Sequence, residues 1–244
     1  MLRGPDGVGK PLIQWTWECT ASLLHGDVVV ATDDARIAAV VAGFGGKVVM
    51  TSVDAANGTA RCAEVAAAVD ADLIINLQGD SPLVPAHFVD ALVEAWRVSR
   101  APVLTAFVEC DAELERRLLA DAGAGRVGGT TLVVNAASQA LYFSKSVIPH
   151  RGGRGPALKF HVGLYAYTPE ALAAYVAHPS CPLELAEGLE QLRFLEMGCP
   201  IEAVAVPPPP GGLWEVNNPE DIALVEAGLR RRASSLNAAR SDAH

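Results

Sequence analysis

Apolar residues along the chain follow two rhythms. Short runs that are apolar at nearly every position, "DVVVAT" ending at Thr32, "KVVMT" from Lys47, "DLIINL" from Asp72 and "PVLTAFV" from Pro102, have the length and β-branched content of strands buried on both faces. Helix-length segments separate them: "ARIAAVVAGFG", "GTARCAEVAAAV" and "PAHFVDALVEAW". This alternation predicts βαβ units around a parallel sheet.

Beyond Asp111 the pattern loosens into "RRLLADAGAGRVGGTT", which reads as a Gly-rich connection. "LVVNAASQALYFSKSVIPHR" then predicts two strands and a turn, and "FHVGLYAYT" a further strand. "CPLELAEGLEQLRFLEMG" predicts one continuous helix, with Leu183, Ala186, Leu189, Leu192 and Phe194 on or near one face and Gly198 as its stop. "IEAVAV" is the last predicted strand and "NPEDIALVEAGLRR" the last helix, with Asn218 as N-cap before Pro219. "RRASSLNAARSDAH" reads as a polar, frayed tail. The expected fold is α/β, a doubly wound, mostly parallel sheet in one domain over 1–232. A β-rich insert spans about 111–200, and a flexible tail covers 233–244.

With 244 residues, half of them apolar, the chain can bury a substantial core. Its net charge of -9 argues against gripping the backbone of long nucleic acids, which takes clustered Lys and Arg. A single nucleotide stays open, because a few local donors and a metal can hold its phosphates. The five cysteines, Cys19, Cys62, Cys110, Cys181 and Cys199, form no C-x-x-C pair, so neither a zinc ribbon nor a disulfide framework is expected. A reducing, cytoplasmic setting fits, and no apolar run is long enough to cross a bilayer.

The stretch with candidate chemistry is "QGDSPLV", Gln78 to Val84. Gly, Asp, Ser and Pro are ordinary turn residues. A carboxylate at the carboxyl end of a buried strand is also where open α/β sheets collect ligands, and where an Asp can hold a hard cation.

Several stretches together, "ATDD", "NGTAR", "NLQGDSPLV", "ALYFSKSVIP", "FHVGLYAY", "PLELAEGLEQLRFLEMGCPI" and "VNNPEDI", resemble the CMP-Kdo synthetases in order and spacing. These are the 3-deoxy-manno-octulosonate (Kdo) cytidylyltransferases, and the resemblance runs from about Gly9 to Leu229. It implies a nucleotide-diphospho-sugar transferase-like fold with an inserted region for acceptor binding and dimer contact. It also implies CTP as substrate, an acidic sugar acceptor, pyrophosphate as product, Mg2+ as cofactor and a homodimer. Asp80 matches the metal-binding Asp of the family's Q-G-D-E-P and, with Lys10 of "GKPLI", is the expected catalytic pair. Asn57, Gly58, Thr59 and Arg61 resemble S-G-T-E-R and, with Gln78 and Gly79, are the expected nucleotide contacts. Asn217, in place of an Asp, is the expected second metal ligand. His161, Tyr165, Glu187 and Gln191 are expected at the acceptor, beside Glu190, which also matches a family position.

Three departures matter. Phe160 stands where the family's acceptor motif has Arg, with Lys159 next to it, and Thr131 stands where the family carries a Lys. Gly128 and Gly129 open a turn that could bind an anion through backbone N–H groups. These changes raise a small phosphonate acid as an alternative acceptor. The third departure is at the front: the family's opening strand and P-A-R-x-x-S-x-R-L-P-x-K loop have no counterpart before Gly9. The expectation is that a strand and basic loop lie upstream of Met1; the alternative is a non-catalytic binding subunit.

Overall fold

A computed structural model of the chain describes all residues except 21–25, 152–154, 217, 218, 220 and 242–244, and the side chains of 236–241. The elements begin with β1 (Leu2–Arg3), β2 (Gly9–Lys10), α1 (Leu12–Thr20), β3 (Val29–Thr32), α2 (Ala35–Gly43) and β4 (Lys47–Met50). Next come α3 (Gly58–Ala66), β5 (Ile74–Leu77), α4 (Ala86–Ser99), β6 (Val103–Glu109), α5 (Ala112–Gly123), β7 (Thr131–Val134) and β8 (Ala140–Ser144). The chain ends with β9 (Lys159–Tyr167), α6 (Pro169–Ala177), α7 (Pro182–Glu187), α8 (Leu192–Glu196), β10 (Ile201–Ala205) and α9 (Asp221–Ser241). Among the described residues no helix is long and apolar enough to cross a membrane.

Two compact units are present. One comprises Met1–Asp54, Leu77–Asp90 and Pro208–His244; the other comprises Ala55–Asn76 and Ala91–Pro207. In the first, β3 and β4 pair in parallel across α2, as the alternating pattern predicts. Asp34 caps α2 by accepting the Arg36 N–H, which satisfies one of the donors a helix start leaves unpaired. The antiparallel pair β1–β2 precedes them. Leu2, Leu83, Val225 and Leu229 form this unit's buried cluster, with Leu12, Trp15, Trp214, Val216 and Ile222 packed against it.

The second unit is built on a sheet of order β10-β6-β9-β7-β8, with β5 also pairing β9. The β10–β6 ladder is parallel, whereas β9 runs antiparallel to both β6 and β7, and β7–β8 is a hairpin. Phe107, Leu132, Phe143, Tyr165, Tyr167, Leu172, Tyr175, Phe194 and Ile201 fill its core. Within it Tyr165 stacks on Tyr167, and Tyr167 on Phe194, each at a centroid separation of 5.6 Å.

Four segments differ from the sequence expectation. The supposed connection after Asp111 contains α5, started by the Asp111 side chain accepting the Leu114 N–H at 2.8 Å and anchored by buried Leu118. The single helix expected over 181–198 is two short ones, because Gly188 closes α7 in the left-handed conformation at φ +60. Helix α6, capped by Thr168 with Pro169 in the first turn, lies in a stretch with no expected element. The tail expected to be loose from 233 continues α9 to Ser241. The expected N-cap Asn218 lies outside the described residues.

Candidate active site

After β5 the chain enters the first unit at Leu77 and turns, the Ser81 N–H donating to the Gln78 carbonyl at 3.2 Å. Both neighbouring peptides are tied down. Thr16 Oγ1 donates to the Gly79 carbonyl at 2.9 Å, and the Val216 N–H donates to the Asp80 carbonyl at 3.0 Å. The Asp80 side chain is half-buried, and its Oδ1 accepts the Ser81 hydroxyl at 3.2 Å. A Cβ on Gly79 would stand 3.0 Å from Ile13 Cδ1, so a larger residue here would push the Ile13 side chain aside. Such a pinned turn presents a carboxylate with little freedom left to lose on binding.

One carboxylate suits Mg2+, which is commonly held by one or two carboxylates with substrate phosphates and water completing its sphere. Among the described residues no group of three or more His, Cys, Asp and Glu could cage a metal. The expected partner ligand Asn217 lies outside the described residues. Lys10 is occupied: its ammonium donates to both Glu18 oxygens at 2.9 and 2.7 Å and sits 4.7 Å from the Trp15 ring centroid. To reach a phosphate it must exchange Glu18 for the incoming anion.

In the second unit, Asn57 caps α3, its Oδ1 accepting the Ala60 N–H at 2.9 Å. Its Nδ2 donates to Tyr175 Oη at 2.7 Å. Gly58 opens the helix, and the Thr59 N–H donates to Glu190 Oε2 at 2.9 Å, while Thr59 Oγ1 lies 3.0 Å from Tyr167 Oη. Burial raises the pKa of Glu190 despite these Thr59 bonds, and pushes the Cys62 thiol up to about 12. Arg61 lies in the first turn of the same helix.

Behind this helix start is a buried ion pair. Arg193 Nε and Nη2 donate to Glu184 Oε2 and Oε1 at 2.7 and 2.6 Å, Nη1 to the carbonyls of Tyr175 and His178 at 3.2 Å each, and Nη2 also to Ser180 Oγ at 2.9 Å. All five guanidinium protons are thus used. Burial pushes the Glu184 carboxyl up, and the Arg193 hydrogen bonds outweigh it, leaving its pKa below the usual carboxylate range. Tyr175, Glu184 and Arg193 escaped the sequence reading. The signal for Glu184 was present: Pro182 and Glu184 after Cys181 fit a helix start whose third residue reaches back, and Oε2 does accept the Cys181 N–H at 3.3 Å.

The expected acceptor residues lie on the same unit. His161 is buried, its Nε2 2.9 Å from Thr105 Oγ1. That hydroxyl gives its own proton to the Leu164 carbonyl at 2.9 Å, so His161 carries its hydrogen on Nε2. Burial lowers the His161 pKa to about 3. Tyr165 is buried in the aromatic stack, and Gln191 is buried with no partner for Nε2 among the described residues. Glu187 accepts from Ser144 Oγ at 2.7 Å and from the Lys145 N–H at 3.0 Å, tying α7 to the end of β8.

Gly129 has φ +146, and a Cβ there would overlap the Phe160 ring. The Gly128 carbonyl accepts from Arg117 Nη2 at 3.4 Å. Thr131 is buried, its hydroxyl donating to the Ser146 carbonyl at 2.9 Å and accepting the Ile148 N–H at 3.0 Å. The position thus holds the chain leaving β8. Lys159 pairs with Glu109 at 3.3 Å and lies 5.2 Å from the Phe107 ring centroid.

Residues 8–202 match the cytidylyltransferase family. The chain belongs to that family. A 3-deoxy-manno-octulosonate cytidylyltransferase of Maricaulis maris (strain MCS10) is 41% identical over 224 residues, 89% of this chain and 86% of the relative. One from Chlorobium luteolum (strain DSM 273 / BCRC 81028 / 2530) is 40% identical over 235 residues, 93% of this chain and 90% of the relative. Among solved structures, CMP:2-keto-3-deoxy-manno-octonic acid synthetase complexed with CTP superposes with a TM-score of 0.78 at 37% identity, covering 90% of this chain and 88% of that one. The cytidylyltransferase resemblance carried by "ALYFSKSVIP" and "PLELAEGLEQLR" therefore holds along nearly the whole chain.

Proposed function

We propose that the protein transfers CMP from CTP to 3-deoxy-manno-octulosonate and releases pyrophosphate. An acceptor hydroxyl oxygen attacks the α-phosphorus, and the bond from that phosphorus to the β-phosphate bridging oxygen breaks. Membership of the cytidylyltransferase family supports the reaction class, and the relatives at about 40% identity support the acceptor. The observation that carries the reading is the Asp80 turn, a half-buried carboxylate on a backbone pinned by Thr16 and Val216.

Nucleotidyl transfer depends on positioning and charge neutralisation more than on covalent help from the protein. Asp80 is the residue that would hold Mg2+, which when bound offsets phosphate charge. Lys10 offers a second positive charge once it leaves Glu18. Asn57, Gly58, Thr59 and Arg61 are the proposed nucleotide contacts on the capped first turn of α3, whose Thr59 and Ala60 N–H groups are already held by Glu190 and Asn57. Gln78 and Gly79 border Asp80 in the same turn and complete the proposed nucleotide contacts. His161, Tyr165, Glu187 and Gln191 are the proposed acceptor residues, with the Gly128–Gly129 turn nearby in sequence to Thr131.

The small phosphonate as acceptor rested partly on a Lys lost at Thr131. With that side chain buried and both its hydrogen-bonding roles filled, the substitution no longer speaks about the acceptor. The same proposal takes the enzyme to be a cytoplasmic homodimer, and the molar mass measured by light scattering tests the oligomer. The transfer itself is tested by 31P NMR of CTP, Kdo and Mg2+ with the protein. A new phosphodiester resonance growing with pyrophosphate is expected; unchanged CTP would overturn the proposal.

A further inference from the structure

We infer that Tyr175 is a positioning residue for the nucleotide end of the site, acting through Asn57. The inference rests on the proposed role of the α3 start in nucleotide binding. Asn57 is half-buried and has two jobs that must be done by opposite ends of one amide. Its oxygen has to face the Ala60 N–H, which can only donate, so its NH2 has to face away from the helix. Tyr175 Oη receives that NH2 at 2.7 Å.

The phenol can accept from Asn57 because its own proton is committed elsewhere. Tyr175 Oη donates to Glu184 Oε1 at 3.2 Å. Glu184 is in turn fixed by Arg193 through two bonds of 2.7 and 2.6 Å, and the guanidinium carbon lies 3.9 Å from the Tyr175 ring centroid. The ring is fully buried and packs on Phe194 at 4.9 Å between centroids. The relay therefore runs from a locked ion pair, through a locked phenol, to the one side chain that sets where α3 begins. Helix starts without such support fray, and a ligand that packs on their first turn must first order it.

Tyr175→Phe removes one oxygen and keeps the ring, so it breaks the relay at its middle with little change in packing. One neutral hydrogen bond corresponds to about a threefold to tenfold change in an equilibrium. CTP binding, measured by calorimetry on the full chain, should weaken by about that factor. The Ala60 amide should exchange with solvent faster by a similar factor. Asn57→Ser keeps a capping oxygen but cannot reach Tyr175, so it should weaken CTP binding comparably. If Tyr175→Phe fails to fold, Ala60 exchange in Asn57→Ser is the test, because Asn57 is itself a proposed nucleotide contact: faster exchange supports the relay and unchanged exchange refutes it. Adding Tyr175→Phe to Asn57→Ser should then change CTP affinity by less than about twofold, since the route through Asn57 is already cut. A purely structural role would give the full loss in both backgrounds, and that result would overturn the inference. So would wild-type CTP affinity in Asn57→Ser or in Tyr175→Phe. If the wild-type protein does not bind CTP, the nucleotide reading of α3 fails, and Ala60 exchange alone decides whether Tyr175 positions Asn57: faster in Tyr175→Phe supports it, unchanged refutes it.

Discussion

Replacing Arg193 by Met should be among the most damaging single changes in the second unit. Met matches much of the side-chain length but supplies none of the five donors. Glu184, only 7% exposed, would lose its counter-ion, and the carbonyls of Tyr175 and His178 would lose their donors. Removing one member of a buried pair typically costs about 3–5 kcal/mol, because the other charge is left buried and uncompensated. For a chain of this length each kcal/mol corresponds to roughly 2–4 °C, so the melting temperature should fall by about 6–20 °C.

The pH dependence separates a charge effect from simple loss of packing. In the wild-type protein burial raises the Glu184 pKa and Arg193 more than offsets it, so the folded value lies below the ordinary 4.5. That contribution to stability is present above about pH 4.5 and is lost as pH falls through the folded value. In Arg193→Met burial is opposed only by the Cys181 N–H and Tyr175 hydroxyl bonds, the folded pKa should rise above the unfolded one, and protonation relieves the cost. The gap in melting temperature between the two proteins should narrow from pH 8 to pH 5, as read by circular dichroism melts. A gap under about 2 °C at pH 8, or one that does not change with pH, would mean that Arg193 does not compensate a buried Glu184 charge.

Gly129→Ala should lower the urea midpoint by the equivalent of about 1–3 kcal/mol, because its Cβ meets the Phe160 ring at a positive φ; Gly128→Ala, facing the Asp121 side chain, should cost less. Thr131→Lys should destabilise the fold without improving Kdo binding, since it places an ammonium in a buried position and removes two hydrogen bonds; calorimetry showing tighter Kdo binding would contradict this. The His161 ring should not titrate between pH 5 and 8 by NMR and should show the Nε2–H tautomer. With its folded pKa near 3, its contribution to stability is complete above about pH 6.5 and declines as pH falls below that.

The strands and the αβ alternation were legible because apolar runs such as "PVLTAFV" are buried on both faces and carry the signal themselves. Helix α5 was hidden because its apolar face is narrow, with Leu118 its buried residue, and its Ala- and Gly-rich end looks like a loop. The break at Gly188 was hidden for the opposite reason: the apolar periodicity continues across it, and only the left-handed backbone interrupts the helix. At the site, Asp80 and the "NGTAR" turn could be found from local sequence. Tyr175 and Arg193 could not, because Asn57 and Tyr175 meet across 118 positions, while Glu184 left only the helix-start pattern after Cys181. Burial likewise gave Thr131 a role in the chain path that its neighbours in sequence do not reveal.

The role proposed for Asp80 in CMP transfer from CTP depends on its charge. The most direct measurement is the rate of pyrophosphate release from CTP and Kdo at saturating Mg2+, for the wild-type protein and for Asp80→Asn, which preserves shape and removes the charge. If Asp80 serves the transfer, release by the wild type depends on Kdo and the variant's rate is at least about tenfold lower, the equivalent of 1.36 kcal/mol or more of transition-state stabilisation, with an unchanged melting temperature. Equal rates in the two proteins would contradict it.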